Sequence, residues 1–233
     1  MISEDEWNNI EWLFEARELL QWLGTLTSGP AILIVRHSER FEDLDVPTTI
    51  QAELTERGHE IAFEFGKRLS DRWCISLLHS PHIRTTQTAQ EIMRGFQEKS
   101  ESIELEELGV LLGGRGDIER IVTLAHEIGF DEFYHHWTQD KIPRETIEPI
   151  EPYLQRLSKH IESRFSKAGE NDLHIYVTHD IVIAATRRNY LDLTEDVGLA
   201  IPFLGGYAIT SIDGELKGFN KGKEVKVTRN LFT

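Results

Sequence analysis

The chain has 233 residues, 39% hydrophobic and 28% charged, so it is long enough to bury a core of its own. Its formal net charge of -15 disfavours nucleic acid and anionic membrane surfaces as partners. The single cysteine, Cys74, excludes a disulfide framework, and its apolar neighbours indicate a buried side chain. The chain opens without a basic, then apolar, leader and has no apolar stretch of ~18 residues, so we expect a cytoplasmic protein.

The N-terminal segment predicts a helix ahead of the main fold. Ser3 and Glu6 have the spacing of a capping box, and apolar residues at helical intervals extend the pattern over residues 4–23. Glycine, serine and proline then end it. We expect this N-terminal helical extension, residues 1–28, to pack back on the domain, with a dimer contact as the alternative.

Short apolar runs alternate with helical patterns along the rest of the chain. The predicted strands cover residues 31–35, 73–78, 103–112, 173–178, 205–211 and 215–218, the last two joined by a hairpin at Asp213-Gly214. The predicted helices begin near Thr55, Pro81, Asp117, Glu151 and Asp180. This alternation predicts an α/β fold, a three-layer sandwich with a mainly parallel central sheet.

The organisation that follows is a single domain over residues 1–233. The segment from about 95 to 150 is an excursion over one edge of the sheet, and we expect a cap there and not an independent domain. Within it, residues 130–150 are aromatic-rich with prolines, which indicates irregular structure.

Polar clusters follow three of the predicted strands. Because ligand sites in open α/β sheets lie at the carboxyl ends of strands, these clusters are expected to share one pocket. The clusters are Arg36-His37-Ser38 with Arg40, Ser80-Pro81 with Arg84, and His179-Asp180.

These groups suit a phosphoryl substrate. Arginines pair bidentately with phosphate oxygens, and a neutral imidazole can attack phosphorus to form a covalent intermediate. A carboxylic acid can protonate the leaving oxygen. We therefore predict an enzyme that transfers a phosphoryl group with a histidine as its nucleophile.

The same motifs resemble those of the histidine phosphatase superfamily, also called the phosphoglycerate mutase-like family. That family opens with a strand and an Arg-His-Gly motif, which residues 32–38 look like. Leu54-Thr55-x-x-Gly58, Ser80-Pro81-x-x-Arg84-x-x-Gln87-Thr88-Ala89 and Val177-Thr178-His179-Asp180 match its later motifs in order. The resemblance covers roughly residues 31 to 218 and implies a phosphoglycerate mutase-like fold.

The resemblance also implies roles for individual residues. His37 is the residue to be phosphorylated, and Arg36, Arg84 and His179 bind the phosphoryl oxygens. We expect a backbone acceptor to hold the second ring nitrogen of His37, so that the reacting nitrogen is unprotonated. Arg40 matches an additional arginine of the acid-phosphatase branch. Neither a metal nor another cofactor is implied.

Two departures from the family pattern matter. Ser38 stands where the family has glycine, and we expect it to be tolerated, with a hydroxyl contact to substrate as one consequence and a lower activity as the alternative. The general acid is also open. Asp180 fits the acid-phosphatase branch and is favoured, whereas Glu106 or Glu107 fits the mutase branch.

The resulting hypothesis is a phosphatase for a small or medium phosphomonoester, acting as monomer or homodimer without nucleic acid or membrane partners. The alternatives are a mutase, which returns the phosphoryl group to another substrate oxygen, and a non-catalytic phospholigand-binding regulatory protein. Specificity is expected in residues 41–53 and 95–150, because the family pattern constrains these segments least.

Overall fold

The computed structural model describes residues 2–42, 50–98, 103–193 and 200–228. Within them, seven strands form one sheet in the order β3-β2-β4-β1-β5-β6-β7. The strands are β1 (Ala31–Arg36), β2 (Cys74–His79), β3 (Ile103–Glu107), β4 (Asp172–Thr178), β5 (Gly206–Ile212), β6 (Glu215–Asn220) and β7 (Lys223–Lys226).

Helices cover both faces of this sheet. They are α1 (Glu4–Asn9), α2 (Phe14–Thr25), α3 (Glu56–Arg68), α4 (Ile83–Gln97), α5 (Ile118–Ile128), α6 (Phe130–Thr138), α7 (Ile150–Phe165) and α8 (Asp180–Tyr190). Short 3₁₀ turns occupy Glu11–Leu13 and Gly109–Leu112.

The parallel half of the sheet determines where a ligand can bind. Strands β1, β2, β3 and β4 are mutually parallel, and β4 lies between β1 and β2. Strands β5 to β7 then continue the sheet in antiparallel pairs. The carboxyl ends of β1, β2 and β4 consequently meet at one edge, which is the arrangement that the polar clusters required.

Two apolar clusters, one on each sheet face, confirm the three-layer architecture. Alternate residues of β1 show the division, since Leu33 and Val35 join the cluster with α2, α3 and α4. Ile32 and Ile34 join the cluster with α5 to α8. A strand with both faces covered must be apolar throughout, which explains the uninterrupted apolar run of β1.

The prediction of one continuous N-terminal helix over residues 4–23 is wrong. The Ser3–Glu6 capping box forms, but the helix breaks at Ile10, whose backbone is extended. Arg17 donates to the carbonyl oxygens of Trp7 and Ile10 and so satisfies backbone groups that the break exposes. Trp7 and Trp22 are buried in the core, so the extension packs back on the fold as expected.

Two further expectations need correction, and one strand was not predicted. Residues 130–138 form helix α6 instead of irregular structure, because Phe133, Tyr134 and Trp137 lie on one face and are buried. Cys74 is exposed at the start of β2. Strand β7 was not predicted, since its lysines and glutamate carry no apolar pattern. The hairpin at Asp213-Gly214 is confirmed, with both residues at positive φ.

No helix in the described part of the chain combines the length and apolarity needed to cross a membrane.

Candidate active site

A cavity opens at the carboxyl ends of the parallel strands. β1 contributes Arg36 and the residues after it, and α4 and α8 contribute residues of their first turns. The polar side chains that line the cavity are Arg36, His37, Arg40, His82, Arg84, His179 and Asp180. The structure thus brings the three predicted clusters together.

His37 is buried and held in one tautomer. Its Nδ1 lies 2.8 Å from the carbonyl oxygen of Ser38, which can only accept a hydrogen bond, so Nδ1 carries the proton. Its Nε2 accepts a hydrogen bond from Nε of Arg84 at 3.2 Å. The predicted backbone acceptor is confirmed. Burial, and after it the charges of Arg84 and Arg36, hold the pKa of His37 well below its usual value.

His179 lies beside His37, with the ring centroids 5.6 Å apart. Nη2 of Arg84 approaches its Nδ1 at 3.4 Å, and its Nε2 lies 2.8 Å from the hydroxyl of Ser80. Because Arg84 can only donate, Nδ1 is the acceptor and Nε2 carries the proton. Burial, followed by the charge of Arg84, lowers the pKa of His179 well below its usual value.

Arg84 links the two histidines. Its Nη1 also donates to the backbone oxygen of Ile50 at 3.2 Å. Burial, with repulsion from Arg40 next, lowers the pKa of Arg84 to about 9, so the guanidinium is still charged at neutral pH. A positive group this close to the Nε2 atom of His37 is placed to hold an anion against that nitrogen.

Arg36 is oriented by contacts on both of its sides. Nη1 donates to the backbone oxygen of Ile201 at 2.7 Å, and Nη2 pairs with Oδ2 of Asp180 at 3.2 Å. The guanidinium also lies 4.5 Å from the ring centroid of Phe203. Asp180 begins α8, and its Oδ1 accepts from the backbone N–H of Ile181 at 2.8 Å. Oδ2 of Asp180 therefore faces the arginine and the cavity.

Ser38 lies in the wall behind the cavity. Its hydroxyl donates to the carbonyl oxygen of Gly58 at 2.8 Å, and its backbone N–H donates to Oγ1 of Thr88 at 2.9 Å. The side chain is fully buried. The expected hydroxyl contact with substrate is therefore wrong, because Ser38 uses its hydroxyl to join the loop after β1 to α3.

Arg40 lines the cavity, whereas the two glutamates do not. Burial, with repulsion from Arg36 next, lowers the pKa of Arg40 from its usual value. Glu106 forms an ion pair with Arg164 of α7. Glu107 ends β3 with an exposed side chain. Neither glutamate is among the described residues that line the cavity.

Sequence reasoning missed two residues of the site. The ring centroid of His82 lies 5.0 Å from that of His179, and burial, followed by the charge of Arg84, lowers its pKa to about 4. His82 precedes α4 directly after Ser80-Pro81, so its position on the strand-to-helix turn was the available signal. Phe203 contacts Arg36 and has its ring centroid 5.8 Å from that of His37, but it lies in a loop without a motif.

Within the described residues, no three side chains of His, Cys, Asp or Glu are grouped to hold a metal ion.

Comparison with known protein families gives one match. Residues 32–221 match the model of the histidine phosphatase superfamily (branch 1). No match was found among curated proteins.

Similar solved structures include phosphoglycerate mutase from Bacillus anthracis str. Sterne, with 16% identity over 86% of this chain and 93% of that chain, at a TM-score of 0.54. YhfR of Bacillus stearothermophilus has 20% identity over 83% and 97%, at a TM-score of 0.58. A phosphoserine phosphatase mutant of Entamoeba histolytica, solved with phosphoserine, has 15% identity over 83% and 98%, at a TM-score of 0.57. At these identities the likeness is one of fold.

Proposed function

The chain belongs to the histidine phosphatase superfamily, and we propose that it is a phosphatase that hydrolyses a phosphomonoester through a phosphohistidine intermediate on His37. One observation carries the proposal: the unprotonated Nε2 of His37 lies 3.2 Å from a charged donor, Nε of Arg84, at the cavity. A nucleophile and an anion-binding group are thereby placed at one point.

In the first step, Nε2 of His37 attacks phosphorus, and the bond from phosphorus to the ester oxygen breaks. Arg36 and Arg84 neutralise the phosphoryl oxygens as charge shifts onto them. His179 can donate to a phosphoryl oxygen only when Nδ1 carries a proton, a form that the negative charge of the bound phosphate favours. Asp180, once protonated, gives its proton to the leaving alcohol oxygen. The lowered pKa of His37 supports this step, because Nε2 carries no proton at neutral pH. Its electron pair reaches phosphorus once Nε of Arg84, which donates to it here, turns to the phosphoryl oxygens.

In the second step, water attacks the phosphohistidine. Asp180 takes a proton from the water, the N–P bond breaks, and inorganic phosphate leaves. The ion pair of Asp180 with Arg36 bears on both steps. A phosphate that engages Arg36 competes for this partner, which frees the carboxyl group of Asp180 to face the leaving oxygen.

The test is hydrolysis of p-nitrophenyl phosphate between pH 4.5 and 8, with EDTA and without added metal. We expect turnover that survives EDTA, and His37→Ala should lower kcat by about 10³-fold or more. His59→Ala is the matched control, since His59 lies outside the cavity and pairs with Glu91. Label from a phosphorylated substrate should appear on the wild-type protein and not on His37→Ala.

Turnover that persists in folded His37→Ala would refute the proposal. A folded wild-type protein without any turnover would also refute it. That result would shift weight to the mutase, which a bisphosphorylated primer should then activate, or to the phospholigand-binding protein.

A further inference from the structure

Two chemically distinct kinds of side chain line the cavity. The arginines, the histidines and Asp180 are the polar ones, and the other described lining residues are apolar and together are called the apolar wall. α5 supplies Ile121 and Val122, α6 supplies Phe130 and Phe133, and Leu112 and Ile181 complete the wall. A substrate whose phosphoryl group is at His37 therefore places the rest of its structure against hydrocarbon side chains.

The apolar wall is built into the fold. The residues of α5 that line the cavity, Ile118, Ile121, Val122 and Ala125, recur at the spacing of one helical face. Asp117 caps this helix by accepting from the backbone N–H groups of the next turn. α6 is anchored by the buried Phe133, which is 1% exposed, while Phe130 is 50% exposed at the cavity mouth.

Apart from the arginines, the histidines and Asp180, the described lining residues carry no polar side chain. None of them is a serine, threonine, asparagine, glutamine or tyrosine, and Asp180 is their one carboxylate. A sugar or an amino acid in this position would lose hydrogen bonds to water without replacing them, which costs binding energy. An apolar skeleton would instead gain from burial.

We propose that the substrate is a phosphomonoester of an apolar alcohol, with an aromatic or aliphatic skeleton that packs against α5 and α6. This inference rests on the proposed function, which places the phosphoryl group at His37. The exposed Phe130 marks the direction in which a longer skeleton leaves the cavity. Sugar phosphates and phosphorylated amino acids are correspondingly poor substrates.

The first test compares 2-phenylethyl phosphate with glucose 6-phosphate. Both release a primary alcohol, so their intrinsic reactivity is similar and the comparison reports recognition. We expect kcat/KM to be about tenfold or more higher for 2-phenylethyl phosphate, since hydrophobic pockets discriminate by roughly that factor per methylene. Equal values, or a preference for glucose 6-phosphate, would overturn the inference.

The second test adds one hydroxyl to the apolar wall. Val122→Thr changes polarity with little change of shape, and it should shift the kcat/KM ratio of the two substrates toward glucose 6-phosphate by at least about threefold. Val225→Thr on strand β7 makes the same chemical change outside the cavity and should leave the ratio unchanged. If the ratio stays at the wild-type value in folded Val122→Thr, helix α5 does not contact the substrate.

The third test separates this inference from the proposed function. Non-hydrolysable 2-phenylethylphosphonate and methylphosphonate report binding without turnover, and calorimetry should show tighter binding of the phenylethyl compound. Tighter binding of the phenylethyl compound, combined with no turnover of any substrate, would support the proposed apolar ligand and refute the proposed phosphatase activity. Equal affinities of the two phosphonates, combined with turnover of p-nitrophenyl phosphate, would support the phosphatase activity and refute the apolar substrate.

Discussion

The imidazoles of His37 and His179 lie in the cavity together with Arg36, Arg40 and Arg84. Burial and the neighbouring charges lower the pKa of both rings, so they are neutral where the guanidinium of Arg84 is still positive. Neutral imidazoles add no charge of their own, and the arginines retain a positive field for the incoming phosphate. Protonation of His37 would have two effects: its positive charge would repel the arginines, and its nucleophilic electron pair would be lost.

Asp180 is the residue whose role is most directly tested by substitution. Asp180→Asn retains the shape but cannot donate a proton as an acid. We expect kcat for 2-phenylethyl phosphate to fall by about 10²-fold or more, because its alkoxide leaving group requires the proton. The loss for p-nitrophenyl phosphate should be far smaller, since p-nitrophenolate leaves without one.

Steady-state kinetics on both substrates provides the comparison, with Glu106→Gln as the control. Glu106 pairs with Arg164 outside the cavity, so its substitution should change neither rate much. Equal and small losses on both substrates in Asp180→Asn would contradict the assignment. Large losses in Glu106→Gln or Glu107→Gln would point to the glutamates instead.

The residues predicted best from sequence are those whose position follows from a strand end. Arg36 and His179 are adjacent to the ends of parallel strands, so topology alone places them at one edge. The role of Ser38 was not predictable in this way, since its hydroxyl partner is the carbonyl of Gly58, 20 residues away. Motifs identify which residues share a pocket, whereas the direction of each side chain depends on tertiary contacts.

At the scale of elements, α2 is tied to the active-site wall. Oε2 of Glu15 accepts from the backbone N–H of Gly206 at 3.1 Å and pairs with Nη2 of Arg187 at 3.0 Å, and both charged side chains are buried. Trp12, from the turn before α2, contacts Phe203 edge-on with ring centroids 5.5 Å apart. Phe203 in turn lies against Arg36. The N-terminal extension, although outside the matched residues 32–221, therefore reaches the site through one ring.

Trp12 is accordingly expected to be a positioning residue. Trp12→Ala removes the support of Phe203 and should lower kcat about 3- to 10-fold, since small displacements of catalytic groups are costly. Trp12→Phe keeps an aromatic edge and should recover most of the loss. The measurement is kcat and KM on p-nitrophenyl phosphate, with thermal unfolding recorded for each variant.

Phe14→Ala is the control for this experiment, because Phe14 belongs to the same extension but is 45% exposed. It should leave kcat at the wild-type value. A Trp12→Ala protein that unfolds at a lower temperature yet retains wild-type kcat would show that the extension serves stability alone.

The helices and strands were predictable where the apolar period was clear. The prediction failed where tertiary packing overrides the local preference for helix or strand. Aromatic residues are weak helix formers, yet Phe133, Tyr134 and Trp137 lie on one helical face, and burial of that face stabilises α6. The break at Ile10 has no glycine or proline to announce it. It depends on Arg17, which satisfies the freed carbonyl oxygens from a later helix.

For the whole molecule, the histidines with lowered pKa contribute to a loss of stability in acid. They are His37, His82, His160, His174 and His179, and burial is the largest cause for each. In the unfolded chain a histidine takes up its proton near pH 6.5, whereas these groups in the folded protein do so at lower pH. The unfolded state then binds more protons, and stability falls as the pH drops below about 6.5.

We therefore expect Tm to be lower at pH 5 than at pH 7.5, as measured by differential scanning calorimetry. His174 offers a way to isolate one contribution, because it is 7% exposed and neither ring nitrogen has a hydrogen-bond partner among the described residues. His174→Phe removes the titrating group while keeping a ring in its place. The difference in Tm between the two pH values should be smaller in this variant than in the wild type.

His126→Phe is the matched control, since His126 is exposed and its loss should leave the pH dependence unchanged. The comparison between variants also removes an opposing effect. Acidification reduces the net charge of -15 and with it the self-repulsion of the folded chain, which favours folding equally in the wild type and both variants. If His174→Phe shows the full wild-type loss of Tm at pH 5, protonation of His174 does not contribute to acid destabilisation.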